Sequence, residues 1–467
     1  MSKKIIIIGS GPGGYHAAIR AASIFPENEV TIIEKQNIGG TCLNVGCIPT
    51  KALLDHLSLY EHFTETTNKR KIFSTTNTQI EIEGLRKHQT SIINQLQQGL
   101  EKLFKKKKIK LVVGEAKLNS VGKISVKTKE NQIEFEADEI IIATGSKPKT
   151  IPGFSFDGKI IVSSDDIWNI PKIPKKLLII GSGPIGIEFS RVFNQLGSKV
   201  TIAEIQEKIC PLLDNELSEN LVRSLKKRNI ILKPNTASKL VEKKNDSATV
   251  EFISTVESKK EQEEFDQILI ATGRKPNTES LGLKDCGIEL EPQGHIKVNN
   301  CLQTNNPNIW AVGDVTNFPQ LAHTASFQGR VVAENIAGNK KEFSGKFIPS
   351  CIFGYPEVAF VGFTEEEIKE KKINYKVGKS LFLASGKSKA SGLTEGVVKI
   401  LIDNTSKMIL GAHIIGPEAS ILIHELVVAM QNKISAEQLT ETIHAHPTYS
   451  EVILESLEDC LGKAIHA

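Results

Sequence analysis

One short pattern is written twice in this chain, and it constrains the fold more than any other feature. The first copy runs from the apolar strand Lys4–Ile8 into Gly9-Ser10-Gly11-Pro12-Gly13-Gly14, through a helical stretch to Ala22, and along a second apolar strand to Glu34. The second copy runs from 176–180 into Gly181-Ser182-Gly183-Pro184-Ile185-Gly186, through a helical stretch over 187–196, and along 199–203 to Glu204. The acid lies twenty residues after Gly14 and eighteen after Gly186, the spacing of a dinucleotide site. The first glycine of each run permits a tight turn, the second lets backbone approach a pyrophosphate, and the third lets helix pack on strand. The helix N-terminus faces the phosphates, and Glu34 and Glu204 can accept from ribose hydroxyls. One glycine run is a weak signal, because glycine turns are common. Two in the same strand–turn–helix setting imply two dinucleotide sites. A carboxylate at 204 suits a free 2′-hydroxyl and repels a 2′-phosphate, and no Arg follows closely to offset it. The second site therefore reads as one for NAD rather than NADP.

Each copy also has a closing strand, 138–142 into Ala143-Thr144-Gly145 and 266–270 into Ala271-Thr272-Gly273. Alternating segments between opening and closure, such as 123–127 and 249–254, predict inserted antiparallel hairpins. Helical pattern fills 85–104 and 215–227. A short strand over 308–312 ends in Gly313-Asp314, on its own a turn signal, and a helix is expected over 325–337. From 347 the pattern changes. Strands at 357–362, 375–380, 396–403 and 409–415 mix with helices at 364–371, 420–431 and 436–440, an α+β region with no glycine fingerprint.

Length and charge set outer bounds. The 467 residues suit roughly three domains. A net charge of +4, from 58 basic and 54 acidic residues, is too balanced to make nucleic acid the main partner. The dense basic run, Lys105 to Lys108, reads as the solvated end of a helix. No apolar run approaches the roughly 20 residues of a membrane span, and no signal peptide fits, so a reducing cytoplasm is the expected location.

Seven cysteines at wide spacing form neither a zinc cluster nor a secreted disulfide framework. Cys210, Cys286, Cys301 and Cys351 read most simply as small core residues. Cys42 and Cys47 differ, because they sit five apart in Gly39-Gly40-Thr41-Cys42-Leu43-Asn44-Val45-Gly46-Cys47-Ile48-Pro49-Thr50-Lys51. In a regular helix such a pair points to different faces, so a bridge needs a distorted segment, for which Gly46 supplies freedom. Pro49 suits the first turn of a following helix. A bridge closing so short a loop would be a poor staple and a candidate redox pair. Two small buried residues remain the bland alternative. Near the end, His446-Pro447-Thr448-Tyr449-Ser450-Glu451 offers a general base with an orienting acid, although by spacing alone a structural histidine is the commoner case.

Taken together and in order, these motifs resemble the pyridine nucleotide–disulfide oxidoreductase family across essentially the whole chain. Within it they are most similar to the branch that oxidises protein-bound dihydrolipoamide for 2-oxoacid dehydrogenase or glycine-cleavage complexes. The resemblance implies an α/β fold with two Rossmann-like dinucleotide-binding domains plus a C-terminal α+β dimerisation domain. The division it implies is 1–150 for FAD, 151–275 for NAD, 276–346 returning to the FAD domain, and 347–467 for the interface. FAD would be held by Gly9, Gly11, Gly14, Glu34, Lys51, Gly145, Gly313, Asp314 and Ala322, and NAD by Gly181, Gly183, Gly186, Glu188, Glu204 and Gly273. Cys42 would exchange with the substrate dithiol, and Cys47 would pass electrons to the flavin. Lys51 would lie by the flavin ring, paired with Glu188. His446, oriented by Glu451, would be the acid–base residue and would reach the cysteines of the other subunit, which implies a homodimer. The implied partner is a lipoyl-bearing E2 or the glycine-cleavage H-protein, with no metal, nucleic acid or membrane. Glutathione reductases share the architecture but would favour basic residues where Glu204 stands. Mercuric reductases would carry a vicinal cysteine pair where only Cys460 is found, and soluble transhydrogenases lack the Cys42–Cys47 pair. A flavoprotein module without turnover would need none of the intact redox and acid–base residues.

Overall fold

Runs such as Ile5–Ile8, 140–142 and 177–180 show no polar alternation, so they need apolar cover on both faces. They become the centres of two parallel sheets. The computed structural model describes residues 2–68, 70–74, 79–257 and 259–466. Its chain divides into two compact units, one of Met1–Lys149 with Gly273–Gly345 and one of Thr150–Thr272 with Lys346–Ala467.

In the first unit, strand Lys4–Ile8 lies between Glu29–Glu34 and Glu139–Ile142, all parallel. Lys110–Val113 and Ile309–Ala311 complete the edges. An antiparallel three-stranded sheet, Glu115–Ser120, Lys123–Lys127 and Gln132–Glu136, packs its Leu118, Ile124 and Val126 into the same core as Ile6, Ile8, Ile33 and Ile140. Each such side chain, fully buried, contributes about 1.5–3 kcal/mol. Helices Cys47–Asn68 and Ile82–Lys106 form an antiparallel pair, and Pro12–Ile24 packs along Ala322–Ile336.

The second unit repeats the plan. Lys176–Ile180 lies between Lys199–Ala203 and Gln267–Ile270, with Ile231–Lys233 and Ile161–Val162 at the edges. An antiparallel sheet, Thr236–Lys243, Ala248–Ser254 and Lys260–Phe265, follows at the matching place. The register repeats as well. Lys4 pairs with Glu29 as Lys176 pairs with Lys199, and Ile5 with Glu139 as Leu177 with Gln267. The rest of this unit is an antiparallel sheet in the order Ser350–Ile352, Glu357–Gly362, Ile409–Gly416, Val397–Asp403, Tyr375–Leu381. Ala419–Gln431, Ala436–Thr440 and Glu451–Leu461 cover it around a core that includes Ile400, Ile414, Ile423 and Leu457. The fold is thus two dinucleotide-binding domains and a C-terminal α+β domain, as the sequence predicts.

Some elements depart from expectation. The helix expected over 325–337 begins a turn earlier, at Ala322, and the one expected over 85–104 spans Ile82–Lys106. Helices Gly386–Ser391 and Glu451–Leu461 are additional to those expected from the sequence. Cys210 is buried, whereas Cys286 and Cys351 are half-buried and pack against the margins of hydrophobic cores, and Cys301 is half-buried. Cys286 lies in a turn, and Cys351 lies on an edge strand.

Candidate active site

The two glycine runs fold alike in atomic detail. Gly9 and Gly181 both sit at φ 104°, in turns that donate to Ile33 O and Ala203 O at 2.8 Å. A Cβ on Gly14 would lie 1.9 Å from Gly9 O, and one on Gly186 2.1 Å from Gly181 O, so helix and turn touch backbone to backbone. Helices Pro12–Ile24 and Pro184–Gln195 start at Gly11 and Gly183 with no side-chain cap and with proline in the first turn. Beyond Gly183 no atom lies within 4 Å of where a Cβ would sit. Uncapped first turns fit the pyrophosphate of a dinucleotide at both places.

The acids are held by a device the sequence did not reveal. Glu34 Oε2 accepts from Ser10 N at 2.8 Å and Ser10 Oγ at 2.7 Å, and Oε1 accepts from Gln36 N at 2.9 Å. Glu204 Oε2 accepts from Ser182 N at 2.9 Å and Ser182 Oγ at 2.7 Å, and Oε1 from Gln206 N at 3.1 Å. Each serine hydroxyl in turn accepts a backbone N–H, from Gly39 at 3.1 Å and from Cys210 at 2.9 Å. The serines are not among the glycine positions that define the fingerprint. They are in fact hubs, and each carboxylate keeps lone pairs for ribose hydroxyls.

Gly39 leads directly into the cysteine segment. Helix Gly40–Asn44 ends at Val45, and helix Cys47–Asn68 begins two residues later with Pro49 in its first turn. The break is the expected distortion. Val45 N and Gly46 N both donate to Thr41 O, at 3.0 and 2.8 Å, and a Cβ on Gly46 would lie 3.0 Å from Thr41 O and 3.3 Å from Cys42 Cα. Gly40 abuts Gly11, so the cysteine segment rests on the first fingerprint. Both sulfurs are thiols. The hydrogen bond between their side chains, then burial and the neighbouring sulfur's charge, push the Cys42 thiol up, while Lys51 pulls it down. Tyr15 lies beside the pair. Burial, and then the charges of Cys42 and Cys47, raise its phenol. Two glutamines of Ile82–Lys106 brace the segment. Gln89 donates to Pro49 O at 3.1 Å, and Gln97 donates at 2.6 Å to Asn44, which itself donates to Ile38 O and Gly40 O. Tyr15, Gln89 and Gln97 carry no motif that would have flagged them, and Asn44 lies inside the cysteine motif without a role assigned to it.

Gly313, at φ 76°, donates its N–H to Gln328 Oε1 at 2.7 Å. Asp314 accepts from Ser146 Oγ at 2.5 Å, and that hydroxyl also receives Arg274 Nε at 2.8 Å. A Cβ on Gly13 would touch Val312 and Ala325, so the Gly313 turn and the start of the Ala322 helix lie against the first fingerprint. Gly145 sits at φ 68° with its carbonyl accepting Asn277 N. The Gln328 amide nitrogen and Thr324 hydroxyl are buried polar atoms with no protein partner, consistent with a ligand on this wall. In the second unit Glu188 is buried and accepts Phe353 N at 3.1 Å. Gly273 falls at the first unit's edge.

His446 Nδ1 hydrogen-bonds Glu451 Oε1 at 2.8 Å, and Glu451 Oε2 accepts Thr448 N at 2.8 Å. The ring is 77% exposed, which leaves Nε2 for proton transfer. Despite partial burial, the hydrogen bonds from His446 and Thr448 hold the Glu451 carboxyl below the usual carboxylate range. His444, by contrast, is a satisfied structural histidine, bonded through both nitrogens to Thr442 O and Glu425.

Comparison with known proteins bears on this arrangement. The sequence profile of "Pyridine nucleotide-disulphide oxidoreductase" matches residues 3–329, and that of its dimerisation domain matches 348–457. The chain is 38% identical over 464 residues to the dihydrolipoyl dehydrogenase of Geobacillus stearothermophilus, covering 99% of this chain and 97% of that protein. It is 39% identical over 464 residues to the mitochondrial dihydrolipoyl dehydrogenase of Pisum sativum, covering 99% and 92%. The crystal structure of LpdA from Mycobacterium tuberculosis superposes with a TM-score of 0.89 at 25% identity, covering 98% and 99%.

Proposed function

The chain belongs to the pyridine nucleotide-disulphide oxidoreductase family, and from that membership we propose that it oxidises protein-bound dihydrolipoamide and reduces NAD, the dihydrolipoyl dehydrogenase reaction. It uses FAD and NAD. The observation that carries the reading is the broken helix that sets Cys42 and Cys47 in hydrogen-bond contact on the first fingerprint.

The chemistry follows from the residues. His446, fixed through Nδ1 by Glu451, takes a proton at Nε2 from one thiol of the substrate. The thiolate attacks Cys42 Sγ of the oxidised pair, the Cys42–Cys47 bond breaks, and Cys47 leaves as thiolate. The second substrate sulfur then displaces Cys42, so lipoamide leaves as its cyclic disulfide and two electrons stay on the cysteine pair. Lys51 favours negative charge there. Bound FAD supplies the two-electron relay that joins this dithiol to NAD, which leaves as NADH. Gly9, Gly11, Gly14, Glu34, Gly145, Gly313, Asp314 and Ala322 hold FAD in this reading, with Lys51 near its ring. Gly181, Gly183, Gly186, Glu188, Glu204 and Gly273 hold NAD.

The C-terminal region is a dimerisation domain, and the protein works as a homodimer in which His446 serves the partner's cysteines. The division into 1–150, 151–275, 276–346 and 347–467 belongs to the same reading, as do a lipoyl-bearing E2 or H-protein partner and a cytoplasmic site of action. No helix among the described residues is long and apolar enough to cross a membrane.

The test is NAD reduction by FAD-loaded protein with dihydrolipoamide as donor, run beside NADP. Turnover with NAD and little with NADP supports both the thiol half and the Glu204 argument. Activity only with glutathione disulfide and NADPH would replace the proposal with a glutathione reductase.

A further inference from the structure

The C-terminal sheet carries a lysine where a core residue belongs. Lys399 lies inside strand Val397–Asp403, 1% exposed, between Lys379 and His413 on the neighbouring strands. Its ammonium donates to Asp214 Oδ1 at 2.8 Å, Asp214 Oδ2 at 3.0 Å and Glu365 Oε2 at 2.6 Å. Asp214 is 0% exposed and also accepts Glu216 N at 3.0 Å and Glu365 N at 3.1 Å, so it caps helix Asn215–Lys227. Lys379 pairs with Glu216, and Lys369 with Glu365. A buried ion pair is weak evidence for stability, since apolar residues of the same volume pack as well. What it adds is a fixed geometry.

That geometry leads to the second fingerprint. Leu213 N donates to Cys210 O at 3.0 Å, Lys208 Nζ reaches Leu213 O at 2.6 Å, and Ser218 Oγ reaches Ile209 O at 2.6 Å. Cys210 N donates to Ser182 Oγ, which donates to Glu204. The segment 205–213 is therefore fastened at one end by the fingerprint and at the other by Lys399. In the first repeat the matching segment is short. Gly39 N reaches Ser10 Oγ, and helix Gly40–Asn44 follows at once. The longer loop of the second repeat needs a separate anchor.

We propose that Lys399, acting through Asp214, is a positioning residue for NAD: it holds segment 205–213 so that Cys210 keeps the Ser182 hydroxyl aimed at Glu204, the acceptor for the adenosine ribose. This rests on the second fingerprint being the NAD site. Without the anchor, Cys210 N withdraws, the hydroxyl turns, and Glu204 loses one of its fixed donors. The FAD and dithiol half of the reaction does not use this chain of contacts.

The test compares full-length, FAD-loaded K399M with the parent protein. It reads calorimetric binding of ADP-ribose, which carries the adenosine and pyrophosphate but no nicotinamide, together with the KM for NAD and the rate of flavin reduction by dihydrolipoamide without NAD. ADP-ribose binding is expected to weaken, and KM for NAD to rise, by about fivefold or more, with FAD content and flavin reduction unchanged. If K399M does not fold, D214N/K399Q decides, because it removes both charges while keeping shape and an acceptor at the helix cap. An unchanged ADP-ribose affinity in either folded variant overturns the proposal. Parent protein that binds ADP-ribose but does not turn over dihydrolipoamide would overturn the proposed reaction and leave this inference standing.

Discussion

Replacing Ser10 with alanine should loosen the first dinucleotide site far more than the loss of one oxygen suggests. Ser10 is 0% exposed, and its hydroxyl makes two bonds, donating to Glu34 at 2.7 Å and accepting Gly39 N at 3.1 Å. Removing it deletes a bond to an ionised carboxylate, worth about 1.5–3 kcal/mol, and strands a backbone N–H, which costs about 1–3 kcal/mol. Ser10 N still holds Glu34 at 2.8 Å, so the lower ends of these ranges apply, together about 2.5 kcal/mol. For a unit of roughly 200 residues, each kcal/mol moves Tm by about 2–4 °C, so the midpoint should fall by about 5–10 °C. Thermal release of FAD, followed by flavin fluorescence, reads this unit directly. Ser182→Ala makes the same pair of losses, at Glu204 and Cys210. Its cost should appear in the second unit and in the KM for NAD. A Ser10→Ala protein whose flavin-release midpoint stays within about 2 °C of the parent would refute the reasoning, because two buried bonds would then contribute nothing.

Three further outcomes follow from the same geometry. Gly40→Ala puts a Cβ 2.7 Å from Gly11 Cα at a φ of 63°, so the purified variant should retain little FAD, as read from its flavin-to-protein absorbance ratio. Gln97→Leu removes the brace on Asn44. It should cost about 1 kcal/mol in urea unfolding and speed alkylation of Cys42 in the reduced protein. The Glu451 carboxyl is held below its usual range. Its contribution to stability is therefore full above the unfolded-state value of about 4.3 and disappears as pH falls through the lower folded value. The Tm gap between parent and Glu451→Gln should accordingly be constant near neutral pH and close in acid.

The repeat was legible because it is written in backbone chemistry. Gly9 and Gly181 need the same φ, Gly14 and Gly186 leave the same missing Cβ, and the apolar runs beside them can only be central parallel strands. Glycine and unbroken isoleucine state a local physical requirement, so reading them needs no partner. The distortion between Cys42 and Cys47 was legible for the same reason, since five residues of helix cannot bring two sulfurs together. The His446–Glu451 pair left two readings open along the chain, and the folded chain brings the two side chains to 2.8 Å with the ring exposed.

What stayed hidden depends on contacts between residues far apart in sequence. Ser10 and Ser182 carry no signal along the chain because their role lies in where Gly39 and Cys210 come to rest. Gln89 and Gln97 are ordinary residues on a polar helix until Pro49 and Asn44 are brought against them. Lys399 is the extreme case. In the sequence it is a charge between apolar residues, which argues against a buried strand, and Asp214, 185 residues away, makes that position possible together with Glu365. Residues that meet a need of their own backbone can be read along the chain, whereas residues that satisfy another segment's need appear only once the chain has folded. The chemistry of this site belongs mostly to the first kind, and the parts that hold it in register belong to the second.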